Sequence, residues 1–427
     1  MSPAAGRPER ATADVVVVGG GPAGSATALL LARRGLDVLI VERETHPRPK
    51  PCGECLSPRA TELLDRLGVL DAVEAAEPAR LAGWRIVAPA GAAFEAAFRD
   101  VTGDPRFACA LAIGRDRLDA VLFEAAVRAG ARIRCGVRVL DVTRSSPGVL
   151  GMGPAGRFEA RGRLVVGADG LRSIVARRIG ATARKGRLRK LSLTGHMTGV
   201  PPDGAAFGEM HIGDGMCAGI APVDRLCTIH NVTLVVDAAR FGRAAALEPV
   251  AFFRRSLDRF PRLRTRVRDA GFAGDDARGR TGPLLASGPF DRPTRRIVTP
   301  GYALVGDAAG YYDPFTGQGI GHALAAAALL AAAADVAAGS HDDSSLRSYQ
   351  KSQRRLVRGP RLLQHIIESV ISRPGLADRA IARLAGRPEA GRALLAATGD
   401  MESPFDALSP AVLFRFFAPR TPEARRT

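Results

Sequence analysis

Glycines at 19, 21 and 24, within Gly19-Gly20-Gly21-Pro22-Ala23-Gly24, have the spacing of a turn that holds a pyrophosphate. Gly19 permits the tight turn, Gly21 removes a side chain so that backbone can approach the phosphates, and Gly24 lets a helix pack close to a strand. The free N–H groups and positive end of that helix then hold the anion. Glu42 stands at the end of the next apolar run, where a carboxylate accepts hydrogen bonds from adenosine ribose hydroxyls and repels a 2′-phosphate. These residues read as a dinucleotide site for NAD or FAD, and against NADP at that place. Two later segments, residues 166–173 with Asp169 and residues 303–310 with Asp307, each end an apolar stretch with a carboxylate at a glycine turn. An aspartate there can bind a sugar or ribityl hydroxyl. The second segment continues through Asp313-Pro314-Phe315-Thr316-Gly317-Gln318-Gly319-Ile320-Gly321 into an alanine-rich run. A helix starting near Gly319 offers N–H groups and its dipole to the electron-rich edge of a reduced flavin.

Other reactive side chains are fewer. Cys52-Gly53-Glu54-Cys55 has CxxC spacing, but Cys109, Cys135, Cys217 and Cys227 form no second pair, so no metal site is expected. A redox dithiol is the alternative. His46, His211 and His230 are acid–base candidates, but each reads more readily as a structural or surface residue. Glu54, in a loop expected near the cofactor, is the better catalytic candidate.

The elements that must position these groups are readable around them. Residues 14–18 form a strand buried on both faces, residues 23–34 a helix ended by Gly35, and residues 38–41 the next strand, which together make one βαβ unit. Helical spacing recurs at 59–67, 71–76 and 116–129. Residues 84–88 and 94–101 read as a hairpin, 131–134 and 137–142 as strands, and 158–160 with 164–166 as a strand pair. Alternation over 191–198, 206–211, 216–221 and 228–236 implies a mostly antiparallel sheet, with helices at 247–260 and 262–270 behind it. Met210, Met216, Ile220 and Phe207 are candidates for an apolar pocket wall. Residues 302–305 form another buried strand, and the chain beyond Gly339 is helical and basic, with a mixed tail at 419–427.

The fold class expected is α/β: a Rossmann-like FAD-binding domain, an inserted mostly antiparallel β-sheet substrate domain and a helical C-terminal region. The division is 13–81, 104–184 and 291–340 for the cofactor domain, 82–103 and 185–290 for the substrate domain, and 341–427 for the C-terminal helices. The 427 residues are 46% apolar and only 5% aromatic, which supplies a core packed by alanine, leucine and valine. The net charge of +18 is carried almost wholly by scattered arginines. Its densest cluster, residues 184–190, lacks the aromatic interleaving of a single-stranded nucleic-acid platform. A nucleic-acid partner is not expected. The apolar run at 323–334 is too short to span a bilayer. The absence of a leader in the first thirteen residues makes a reduced cytoplasmic setting the expectation.

The three ordered motifs, GGGPAG with Glu42, GADGLRS at 167–173 and GDAAGYYDPFTGQGIGHAL from Gly306, resemble the class A flavoprotein monooxygenases of the aromatic-hydroxylase fold. Features are shared with geranylgeranyl reductases and flavin-dependent halogenases. The resemblance implies that Gly19, Gly21, Pro22, Ala23, Gly24, Glu42 and Arg43 hold the ADP half of FAD. It places Arg115 and Asp169 near the cofactor, Asp307 at its ribityl or pyrophosphate region, and Pro314, Gly317, Gly319 and Ile320 beside the isoalloxazine ring. The activity implied is an NAD(P)H- and O2-using monooxygenase that passes one oxygen atom from a flavin C4a-hydroperoxide to a hydrophobic, aromatic or alkene-containing molecule. With one dinucleotide fingerprint, NAD(P)H is expected to visit transiently, or an external flavin reductase to take its place. The alternative is a geranylgeranyl-reductase-like alkene reductase, and a more remote one is a non-enzymatic nucleotide- or nucleic-acid-binding protein. Two halogenase features are missing. Trp84 is the single tryptophan, and no lysine lies between Lys50 and Lys185. The reductases' aromatic strand motif is also absent from Met216-Cys-Ala-Gly-Ile-Ala-Pro222.

Overall fold

Four consecutive valines suit only a strand covered on both faces, and Val15–Val18 is buried throughout. The structure, a computed structural model, describes residues 8–143, 145–183, 186–202, 206–274, 283–334 and 343–417. Val15–Val18 lies inside a six-stranded sheet ordered Val298–Thr299, Tyr302–Leu304, Leu164–Gly167, Val15–Val18, Val38–Val41, Arg132–Arg134. Its strands are parallel except for the antiparallel edge at Val298–Thr299. The helix Pro22–Ala32 starts with proline in its first turn, where no N–H partner is needed, and is buried on nearly every side. It packs against helices Arg115–Arg128 and Gly319–Ala333. Alanine on all three, with glycine on the first and third in chain order, lets the backbones approach.

A second large sheet has eight strands: Gly271–Phe272, Lys190–Thr198, Ile229–Asp237, Met216–Pro222, Phe207–Gly213, Gly83–Val87 and Ala93–Ala97, with Leu284–Ser287 beside the second. The expected hairpin at 82–103 therefore joins this sheet, pairing parallel to Phe207–Gly213. Period-two alternation gives the sheet two different faces. Leu193, Met197, Leu234 and Val236 pack under the helices Ala238–Leu247, Pro249–Leu257 and Pro261–Val267. Ser192, Thr194, Asn231 and Thr233, one residue out of step, face the cavity described below. The long helix Asp343–Ile371 and the shorter Pro374–Ala385, Pro388–Thr398, Pro404–Ala407 and Pro410–Phe417 close the other side. Ile381, Leu384 and Leu395 meet Phe94 and Phe98 of the hairpin region in one apolar cluster.

Several expectations need correction. Residues 158–160 and 164–166 do not pair with each other. Gly156–Arg161 pairs with Gly148–Gly153 and with Glu9–Thr12 in a separate four-stranded sheet, while Leu164–Gly167 enters the parallel sheet. The strand at 9–12 hides behind charged residues because it is an exposed edge. The helical stretch expected at 247–260 begins earlier and is broken at Glu248 and Pro249. The residues at 184–185 and 419–427 lie outside the described residues. No described helix is long and apolar enough to cross a membrane.

Candidate active site

The glycine turn at 19–24 sits where the parallel sheet delivers Val18 into helix Pro22–Ala32. A Cβ on Gly24 would lie 1.9 Å from the Gly19 carbonyl oxygen, and one on Gly19 would lie 2.6 Å from the Ala168 carbonyl oxygen. Both glycines are needed for close packing of strand, turn and helix. Gly21 differs: a Cβ there would meet only the Lys50 Nζ, at 3.9 Å, so its open side faces the groove. Glu42 is buried, and its two oxygens accept N–H bonds from Gly20 at 2.6 Å and Glu44 at 2.9 Å.

Cations crowd this turn. Arg115 Nε and Nη2 donate to Asp119 at 2.7 and 2.8 Å, and Arg48 lies 3.8 Å from Asp119 and 4.0 Å from Glu42. Burial pulls the Lys50 ammonium below its ordinary pKa and Arg115 adds to the effect. Burial opposes protonation of Arg115 too, but the Asp119 carboxylate and Cys52 together outweigh it and the net shift is upward. Arg48, Lys50 and Arg115 thus gather beside the carboxylates of Glu42, Asp119 and Asp307, and these cations suit a phosphate-bearing ligand in the groove. These residues fit the pyrophosphate of FAD. Lys50 is a residue that the motif reading passed over; its clue was a lysine lodged between two prolines just before the CxxC loop. Lys50→Met is expected to lose one charge-assisted contact, about 1.5–3 kcal/mol, or roughly a ten- to hundredfold rise in the FAD dissociation constant. Titrating apoprotein by flavin fluorescence checks this.

Asp307 lies in the 3-10 turn Gly306–Ala309, and helix Gly319–Ala333 begins beside Pro314 and Gly317; all border the same groove as Gly21 and Glu42. Ala23, Pro22, Arg43 and Ile320 also border it. Asp169 does as well, but its carboxylate is occupied by Ser173 Oγ at 2.5 Å and by the N–H groups of Ile174 at 2.6 Å and Val175 at 3.3 Å. Its visible work is to hold the start of helix Ile174–Arg178.

Where the groove meets the eight-stranded sheet stands Glu54. The short three-stranded sheet of Cys55–Leu56, Ala110–Ala112 and Ala79–Leu81 anchors its loop, and its backbone has a positive φ of 59°. Its side chain is almost wholly buried, yet it borders the cavity. One oxygen accepts the Arg115 backbone N–H at 2.8 Å; the other meets His196 Nε2 at 2.6 Å and Asn231 Nδ2 at 3.0 Å. The sheet register explains this grouping. His196 lies opposite Asn231 and Thr194 opposite Thr233, and Thr233 Oγ1 links to both Asn231 Oδ1 and Thr194 Oγ1 at 2.9 Å. The His196 side chain is 31% exposed, so this imidazole joins solvent to a carboxylate on the cavity wall. Burial lowers the His196 pKa, but its bond to Glu54 and the Glu54 charge outweigh this, and the net shift is upward.

His196 was missed at the sequence level, while the three histidines singled out there do other work. His46 stacks on Phe123 with ring centroids 4.4 Å apart, and His211 meets Glu209 at 3.0 Å. Burial, with help from Arg266, pushes His230 down to about 4. Cys52 and Cys55 are free thiols on the cavity wall, and burial raises Cys55 well above the ordinary thiol range. Met210 and Ile220 border the cavity as expected, but Met216 and Phe207 do not.

From the cofactor groove the cavity continues past Trp84 and Phe315 between the sheet and the C-terminal helices. Ile367, Val370, Leu384 and Leu395 wall its far part. The whole space is about 1630 Å³, above the roughly 300–1,000 Å³ of a single small-molecule pocket. It has room for a dinucleotide and a sizeable apolar substrate.

Comparison with known proteins agrees with this geometry. The FAD binding domain family matches residues 12–215. A menaquinone reductase of Mycolicibacterium smegmatis is 31% identical over 350 residues, 75% of each chain. A digeranylgeranylglycerophospholipid reductase of Methanothrix thermoacetophila is 30% identical over 369 residues, 83% of this chain and 85% of that one. Among solved structures, a myxobacterial chondrochloren halogenase superposes with a TM-score of 0.76 at 24% identity, covering 88% of this chain and 91% of its own.

Proposed function

Since the chain belongs to the class A superfamily of FAD-dependent flavoproteins, we propose that this flavin-dependent oxidoreductase saturates a carbon–carbon double bond in a long, isoprenoid-like substrate. The observation that carries this reading is the aliphatic cavity that leaves the cofactor groove and runs between the C-terminal helices, with Glu54 and His196 at its junction. Relatives of similar span that are named as reductases support it.

FAD held in this groove would, once reduced by a nicotinamide cofactor, supply the hydride, and with it both electrons, for one alkene carbon. Lys50, Arg48 and Arg115 would hold the pyrophosphate, Glu42 the adenosine ribose, and the turn at Pro314–Gly319 the ring edge. The aliphatic walls around Ile367 and Leu384 exclude water and hold the chain extended. Glu54 relays to the second alkene carbon a proton that it receives from His196, and His196 regains one from solvent. Atoms and charge then balance: one hydride and one proton enter, and one double bond is lost.

A dioxygen-using monooxygenase would use the same groove, but its hydrophobic ring substrate would not need the far aliphatic stretch. The two differ in product. Turnover in deuterated water with a polyprenyl alkene should place at least one solvent deuterium on carbon and consume no oxygen; an oxygenated product would overturn the reductase reading. The cavity's length is testable as well. Ala380, on its wall, should on replacement by phenylalanine obstruct long chains only. A loss of about 1–3 kcal/mol, or roughly 10–200-fold in kcat/KM, is expected for the long substrate, with short isoprenoids little affected. Equal losses for both would argue against a chain-length channel.

A further inference from the structure

Half of the exposed large apolar side chains among the described residues fall in the C-terminal helices: Leu362, Ile366, Leu376, Phe405, Leu413 and Phe414. Ile366, Leu376 and Leu413 also border the active-site cavity, so the cavity opens where apolar residues meet solvent. Phe414, 74% exposed, follows Leu413 directly. Phe405 lies beside the exposed Glu402 and Asp406 and is not counted in the patch.

The long helix adds charge to that opening. Lys351, Arg355, Arg358, Leu362 and Ile366 are all exposed and recur at three- and four-residue spacing, so they share one face, and exposed Arg373 follows just past the helix end. Arg379, exposed on the next helix, borders the cavity too. Two acidic side chains here turn aside, Glu368 pairing with Lys190 and Asp378 accepting the Ala90 N–H at 2.7 Å, while Glu402 and Asp406 stay exposed beside Phe405 at the edge of the face. Apolar tips flanked by arginine, in a chain of net charge +18, match an anionic lipid headgroup layer over an acyl interior.

We propose that this face docks on an anionic bilayer surface, with Leu362, Ile366, Leu413 and Phe414 dipping into the headgroup boundary and Arg355, Arg358 and Arg379 against the phosphates. Docked so, the cavity mouth opens onto the lipid, and an apolar substrate enters without crossing water. The proposal rests on the proposed function only for what passes through the mouth; docking itself is measured without turnover. FAD-loaded protein is spun with phosphatidylcholine vesicles, with and without phosphatidylglycerol. Binding is expected with phosphatidylglycerol, weakened by salt, and far weaker without it. Arg355→Glu with Arg358→Glu should weaken binding roughly twenty-five-fold or more, at roughly fivefold per arginine lost from such a surface. Leu362→Asp with Phe414→Asp should abolish it while turnover of a detergent-dispersed substrate persists, since neither residue borders the cavity. Protein left in the supernatant, or binding unchanged in both variants, would overturn the proposal. So would a lipid-free dimer that Phe414→Asp dissolves, which would assign the face to a second copy. Vesicle binding by a protein that saturates no alkene would leave docking standing and remove the reductase reading; the reverse pattern would do the opposite.

Discussion

Gly24→Val is expected to yield a protein that retains no FAD. A Cβ at this position lies 1.9 Å from the Gly19 carbonyl oxygen and 3.1 Å from the Ala168 Cβ. Neither neighbour is a flexible side-chain end. Gly19 is itself tied to the Val41 carbonyl by a 2.9 Å N–H bond, so the turn cannot yield without pulling on two core strands. Helix Pro22–Ala32 must move away from the sheet, which takes its N-terminal amides off the pyrophosphate. Overpacking of this kind costs about 1–3 kcal/mol in stability, and misplacing the amides adds to the loss of cofactor. We expect FAD affinity to fall at least roughly a hundredfold, about the loss of two good hydrogen bonds. Gly35→Ala is the control. Gly35 has a φ of +82° and no atom near its missing Cβ, so alanine there costs about 1–2 kcal/mol of backbone strain and should leave FAD binding intact. Thermal unfolding beside flavin titration separates the two effects.

The second large effect is expected at Glu54. Glu54→Gln keeps the shape and the acceptor for the Arg115 N–H, but it removes the proton carrier. Loss of a positioned acid costs about 10²–10⁴-fold, so alkene saturation should fall by that order while reduction of the flavin by NAD(P)H proceeds at the wild-type rate. The pH behaviour follows from His196. Its pKa in the folded protein is raised above the ordinary value, against burial, by Glu54. The stabilising contribution of the pair is therefore fully present below about 6.5 and is lost as pH rises through the folded value. Turnover should fall over the same upward range, since His196 no longer carries a proton to pass on. Asp116 supports the charged imidazole and Arg117 opposes it, so neither reverses the direction. In Glu54→Gln, burial prevails and His196 should titrate lower, readable by NMR of the imidazole without any turnover. An unchanged titration would sever His196 from Glu54.

What could be read from sequence was local or marked by glycine. The βαβ unit at 15–41 is contiguous, its valines and glycines have one reasonable use, and Glu42 follows at the strand exit. The turn at 306–307 was legible for the same reason: a buried strand, Tyr302–Leu304, ends at an acidic glycine turn. Glu54 was noticed through its loop, but its partners were not. His196 is 142 positions away and Asn231 is 177, and only the register of Lys190–Thr198 against Ile229–Asp237 puts them side by side. The alternation that revealed these strands did not say which face met the cofactor. The strand Gly148–Gly153 escaped because three of its six residues are glycine, a poor strand former by propensity. The far cavity wall was illegible because Ile367, Leu384 and Leu395 have ordinary core spacing, and nothing local tells a helix face packed on protein from one that walls a channel.

The most direct measurement is an anaerobic single turnover. Enzyme carrying fully reduced FAD is mixed with a polyprenyl alkene, and the return of oxidised-flavin absorbance is followed without oxygen. We expect reoxidation whose rate depends on the alkene, together with product that has gained two hydrogens. Flavin that stays reduced until oxygen is admitted, followed by product bearing one oxygen atom, would contradict the account.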